Sequence, residues 1–155
     1  MKKLFILALA TLTLGQAFAA TSGTLLLRGT VPRLLEITVS PEPIASTLPL
    51  DTTQANTLVA VVNEKSNSKT GYSVSVSSAN QGKLVHEIES SSVVNYNLRY
   101  NGNAVDLVNG QSFSYSGAGA NNNNRNVDIS YTGIDHDLLI EGDYSDTVTF
   151  TISAN

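Results

Sequence analysis

No cysteine occurs anywhere in the 155 residues. That excludes a disulfide framework, a thiolate nucleophile and a zinc–thiolate site. Tryptophan is also absent, and aromatic residues make up only 6% of the chain, which leaves few platforms for stacking bases. Positive charge is scarce: 9 Lys and Arg stand against 13 Asp and Glu, a formal net charge of −4 at pH 7. An acidic chain repels phosphate backbones and anionic lipid, which argues against nucleic acid as a partner. No Ser lies in a G-x-S-x-G elbow. Gly117-Ala118-Gly119 lacks the third glycine and the following helix of a phosphate cradle. With no convergent nucleophile, base and orienting group, the sequence predicts no enzyme and no cofactor.

Helical spacing is missing as well, apart from the N-terminus. Met1-Lys2-Lys3 is basic, Leu4 to Leu14 is apolar except for Thr11 and Thr13, and Ala17-Phe18-Ala19 has the A-x-A form of a signal-peptidase site. Residues 1–19 therefore read as a secretory signal peptide, with an uncleaved anchor as the alternative. The apolar run is short for a stable membrane span. No later segment is apolar enough, so no span is expected after cleavage. Loss of Lys2 and Lys3 would make the remainder more acidic still. An exported chain without cysteine must take its stability from packing or assembly.

What is present is period-two alternation. Leu35, Ile37 and Val39 share one face, and Leu58, Ala60 and Val62 another. Val59 and Val61 make the latter segment apolar on both sides. Tyr72, Val74 and Val76 alternate with Ser73, Ser75 and Ser77. Val94, Tyr96, Leu98 and Tyr100 alternate with Asn95, Asn97 and Arg99. Val127, Ile129 and Tyr131 form a further face, as do Val148, Phe150 and Ile152. Shorter strand candidates are 83–88, 104–108 and 112–115. Ser66-Asn67-Ser68, Asn80-Gln81-Gly82, Asn101-Gly102-Asn103 and Asn109-Gly110 supply turn chemistry between them. The low-complexity stretch Ser116 to Asn126 reads as an exposed loop. Short strands at this spacing predict one all-β domain, an immunoglobulin-like Greek-key β-sandwich, with a closed barrel as the alternative.

Candidate chemistry is thin. His86 lies in a strand-like segment and reads as a surface residue. Asp135-His136-Asp137 could place two carboxylates around an imidazole, but neighbouring strand residues point to opposite faces unless the segment is a tight loop. Glu141, Asp143 and Asp146 could offer oxygen ligands to calcium, without the spacing of an EF-hand loop; the competing reading is a solvated turn. Tyr72, Tyr96 and Tyr100 fall on apolar faces and read as core residues.

The two ends of the chain after the signal segment are more informative. TSGTLLLRGTVPRLLEITVSP, residues 21–41, holds two strand patterns separated only by Pro32-Arg33, which is not hairpin-turn chemistry. In the first pattern Leu25, Leu27, Gly29 and Val31 lie on one face and Leu26, Arg28 and Thr30 on the other. The last alternating segment ends the sequence, and an apolar edge left uncovered there would invite pairing with another chain.

The ending EGDYSDTVTFTIS is similar to the closing strand of exported pilin-like subunits of the chaperone–usher pathway, usually Gly-x-Tyr-x-Asp before alternating apolar residues. The middle segment NEKSNSKTGYSVSVSSANQGKL resembles their Asn-rich turn and Gly-Tyr strand. The resemblance is strongest to spore coat protein U and related archaic or alternative fimbrial subunits, and it spans most of residues 20–155. Many of those proteins carry a disulfide near the first strand, and this chain does not. The resemblance implies a secreted structural subunit of a fimbria, pilus or surface coat, built by donor-strand complementation. It implies a sandwich at 33–155 that lacks its last strand and a donor-like segment at 20–32 that enters a neighbouring subunit of a homopolymer. A periplasmic chaperone and an outer-membrane usher are the implied partners, and the periplasm and then the cell surface the implied location. Leu25, Leu27, Gly29 and Val31 correspond to the donor strand; Val148, Phe150 and Ile152 line the acceptor. The competing expectation is a complete monomer, in which residues 24–39 form one edge strand kinked at Gly29 and Pro32. Such an exported binding module would contact a glycan or cell surface through loops such as 116–126.

Overall fold

The computed structural model describes residues 21–155; the signal peptide expected at 1–19 lies outside the described residues. The chain divides into two compact units at the Val31–Pro32 bond. In the first, residues 21–31 carry no helix or strand. Leu25, Leu26, Leu27 and Val31 are between 77% and 83% exposed.

The second unit is an all-β sandwich. Its strands are β1 (Leu35–Pro41), β2 (Gln54–Ser66), β3 (Gly71–Ser78), β4 (Lys83–His86), β5 (Val93–Asn95), β6 (Asn97–Tyr100), β7 (Asn103–Ala104), β8 (Gln111–Ser116), β9 (Asn121–Tyr131), β10 (Tyr144–Ser145) and β11 (Val148–Ala154). They form three antiparallel sheets, ordered β1-β2-β9-β6-β7, β11-β3-β8 and β10-β4-β5. The core follows the alternation of the sequence. Val62 on β2, Val74 and Val76 on β3, and Tyr100 on β6 are wholly buried, and Tyr72, Tyr96, Leu98, Val127 and Ile129 are nearly so. On β3 and β6 the intervening residues are polar and mostly exposed, which is how a two-layer sandwich sorts a period-two pattern; β2 departs from it, with Val59 buried and Val61 half-buried.

Several local expectations need correction. The segment 94–100 alternates as expected but is not one strand. It breaks at Tyr96, whose N–H bonds to the Gly82 carbonyl at 2.9 Å, so β5 joins β4 while β6 joins β9. The candidate at 104–108 shrinks to Asn103–Ala104, held on β6. The supposed loop 116–126 is half strand: Asn121–Asn126 pairs with Val61–Ser66 of β2. Asparagine has low strand propensity, yet here its amides bond across the ladder. Asn63 Nδ2 donates to Asn122 Oδ1 at 2.8 Å and to Asn124 Oδ1 at 2.7 Å.

His86 is buried, not a surface residue. Its Nε2–H donates to the Glu141 carbonyl at 3.1 Å. Its Nδ1 accepts the N–H groups of Ile88 at 3.2 Å and Glu89 at 2.9 Å. The ring thus closes the end of β4, serving three main-chain groups. No apolar periodicity reveals such a role.

A candidate strand-acceptor seam

Among the described residues, two of the sheets each end on one side in a strand that lacks an outer neighbour. β1 is the edge of the first, and β11 the edge of the sheet it shares with β3 and β8. The two edges run close, with Cα atoms of some residue pairs within 8 Å. They share no ladder among the described residues. The outward main-chain groups of both strands are therefore available along one side of the sandwich.

Burial is incomplete along this same line. The inward residues Leu35 and Ile37 of β1 and Val148, Phe150 and Ile152 of β11 pack against the core but remain only half-buried. Val39 of β1 is 42% exposed. Opposite partners in the same registers are fully closed: Val76 pairs with Phe150 and Val74 with Ile152, and both valines are 0% exposed. The shortfall therefore belongs to the edge and not to the strand pair. Phe150 meets the Tyr100 ring at 5.6 Å between centroids. Near the start of β11 a cavity of about 120 Å³ opens between Val59, Leu84, Tyr96, Leu98, Ile129 and Val148.

Polar side chains pin both ends of the seam. At the β2–β3 corner, Asn67 Oδ1 accepts from Leu34 N–H at 2.6 Å and its Nδ2 donates to the Pro32 carbonyl at 2.8 Å. The N–H of Asn67 donates to the Leu34 carbonyl at 3.2 Å. Residues 32–34 are thus clamped to Asn67, and at the end of β11 Asn155 N–H meets the Gly71 carbonyl at 3.3 Å. Gly71 itself sits at φ +92° against the Tyr115 carbonyl, a position without room for a Cβ.

At the other end, Asp146 fixes the approach to β11. Its carboxylate accepts from Ser78 Oγ at 2.5 Å, Tyr96 OH at 2.7 Å, Asn80 N–H at 2.9 Å and Thr147 N–H at 2.6 Å. Burial, and then the bond to Asp146, push the Tyr96 phenol well above its ordinary range. The same geometry bears on the calcium alternative for Glu141, Asp143 and Asp146. Asp146 is saturated by donors of its own chain, while Glu141 and Asp143 stay exposed. Among the described residues no acidic or histidine cluster has the geometry to hold an ion. Asp135, His136 and Asp137 do not converge either: His136 leads a short 3-10 turn and its Nε2 faces Asp51 Oδ2 at 3.2 Å.

Residues 25, 27, 29 and 31 lie in the first unit, and 148, 150 and 152 on β11 of the second. No regular strand covers 24–34, so the kinked continuous strand is not formed in this chain. Neither a family model nor a curated protein matches the chain.

Proposed function

We propose that the protein is a secreted structural subunit that polymerises by strand exchange, each copy lending residues 20–32 to the open side of a neighbour. The observation that carries this reading is the pairing of a surplus with a shortfall. Residues 25–31 hold an exposed alternating apolar face, while β1 and β11 leave a half-buried apolar line between two unpaired edges.

The chemistry of the fit is β-strand addition. Main-chain groups of the incoming strand would bond to the free edge of β11, and side chains at every second position would enter the seam. Leu25, Leu27 and Val31 would face inward beside Val148, Phe150 and Ile152. Burial of three such side chains contributes roughly 5–9 kcal/mol by transfer, before the cost of ordering the segment. Gly29, without a Cβ, suits a shallow place in the seam where the two backbones come close. Pro32 carries no N–H and ends the ladder between donor and domain. An immunoglobulin-like sandwich that lacks one strand, a periplasmic chaperone that shields the seam and an outer-membrane usher belong to the same reading, as does display at the cell surface.

The test is deletion of residues 20–31 in the periplasmic form of the chain. The expected product aggregates and is rescued in trans by a peptide of residues 21–32. The intact chain should run on an unboiled gel as a ladder that collapses on heating. A truncated chain that is monomeric and as stable as the intact one would overturn the proposal.

A further inference from the structure

The outer face of the β11–β3–β8 sheet carries hydroxyls and no charge. Register places Thr151, Ser75 and Ser112 in one row across the three strands and Ser153, Ser73 and Ser114 in the next, with Thr149 beside Ser77. All of these are exposed except Ser73, which is half-buried. None of the three strands contains Asp, Glu, Lys or Arg. The outer face of the first sheet differs sharply. It shows Glu36, Lys65, Arg99 and Asp128, with Lys65 Nζ 3.4 Å from Glu36 Oε1.

We propose that this hydroxyl face is a self-association surface that packs on the same face of a second copy. Two identical chains of net charge −4 repel each other. The approach that brings the fewest like charges together is face to face through this sheet. The contact of two identical copies about a two-fold axis must also be self-complementary. A carboxylate or an ammonium cannot pair with itself. A hydroxyl can, because it both donates and accepts. An array of Ser and Thr therefore satisfies itself in many registers, and its short side chains let the two sheets come close.

The size of the face decides when this matters. Three strands of six, seven and eight residues, spaced about 4.8 Å apart with a rise of about 3.4 Å per residue, cover about 340 Å² per partner. A stable protein interface takes about 800 Å² per partner. A single pair of subunits would thus associate weakly. Subunits held in a row would add such contacts and bind side by side through avidity. The face is then a bundling surface between filaments, a consequence that rests on the polymerisation reading, whereas the weak pairing itself does not.

The test reads the two separately. Backbone amide shifts of the labelled full chain, held monomeric by an excess of the peptide of residues 21–32, are followed as its concentration rises into the millimolar range. Concentration-dependent shifts are expected at Ser75, Ser112 and Thr151 and not at Asn122 or Asn126. The double variant Ser75→Glu/Thr151→Glu should weaken self-association about tenfold or more, since it sets like charges against each other. Asn126→Glu, on the other sheet, should leave it unchanged. In electron micrographs, wild-type filaments should lie in bundles and double-variant filaments singly, with heat-labile ladders equal in both. No concentration-dependent shifts on this face, or shifts that persist in the double variant, would overturn the proposal. So would filaments of the double variant that bundle as before. Absence of ladders would count against strand exchange alone, since the amide shifts remain readable.

Discussion

Glu64 is wholly buried on β2, two residues beyond Val62, where the alternation calls for another apolar side chain. Its carboxylate accepts from Tyr72 OH at 2.7 Å, from Tyr100 OH and from Arg125 Nε at 3.1 Å. Arg125 lies in turn over the Tyr115 ring, 4.7 Å from its centroid. A buried carboxylate is tolerable only when it is paired and hydrogen-bonded on this scale. Replacement of Glu64 by Ala would leave a partly buried guanidinium and two phenols without their acceptor. Glu64→Ala is expected to lower unfolding free energy by about 3–5 kcal/mol, measured by urea titration. The tyrosines give a second expectation. Burial, followed by the bond to Glu64, raises the phenol of Tyr100 and that of Tyr72 above 10.0. For Tyr96 the causes are burial and Asp146. A group whose folded pKa lies above its unfolded value contributes stability below the unfolded pKa and loses it as pH rises further. The domain should therefore keep its stability to near pH 10.0, the unfolded value, and lose it above that. Tyrosinate absorbance should then appear together with the loss of circular dichroism. Ionisation of all six tyrosines with the fold intact would contradict the buried network.

At the scale of the element, β11 is an edge strand with one satisfied side. Its inner ladder to β3 runs in register from Val148 opposite Ser78 to Ala154 opposite Tyr72. Its apolar residues meet the core without being closed over. Ordinary edge strands discourage further pairing with charge, proline or a bulge. β11 has none of these between Val148 and Ala154. Gly29 offers the sharpest test of whether a donor fills the gap. Gly29 meets no atom within 4 Å of an added Cβ, so Gly29→Leu should leave the strand signal of the subunit in circular dichroism unchanged. It should also abolish heat-labile ladders on unboiled gels, because a Leu side chain cannot enter a shallow place in the seam. Ladders of normal intensity would remove Gly29 from the donor face.

Considered whole, the compact unit beginning at Pro32 leaves the edges of β1 and β11 unpaired among the described residues, so under the strand-exchange proposal its stability should depend on what fills that side. A peptide of residues 21–32, added to a chain from which 20–31 have been removed, should raise the thermal midpoint in a dose-dependent way. About a hundredfold excess over its Kd would add about 2.7 kcal/mol. A peptide in which Leu25 and Leu27 are replaced by Ser should do much less. Equal midpoints with and without the native peptide would mean that the sandwich is already complete.

Class, core and periodicity were legible in the chain because they are local. Alternation at Tyr72, Val74 and Val76, or at Val148, Phe150 and Ile152, sorts side chains to two faces whatever the strands pair with. Composition likewise carried the lack of disulfides. Only the tertiary structure decided the rest, because it depends on which distant segments meet. The break at Tyr96 comes from a bond to Gly82, and the strand at Asn121–Asn126 from a long partner in β2. The burial of His86 depends on the 141–143 turn, which lies more than fifty residues away in sequence. Glu64 could be placed in the core only once Tyr72, Tyr100 and Arg125 converged on it. The unpaired edges of β1 and β11 are the largest such feature. A sequence shows that a strand is apolar on one face, but whether its edge is paired is a property of the sheet around it.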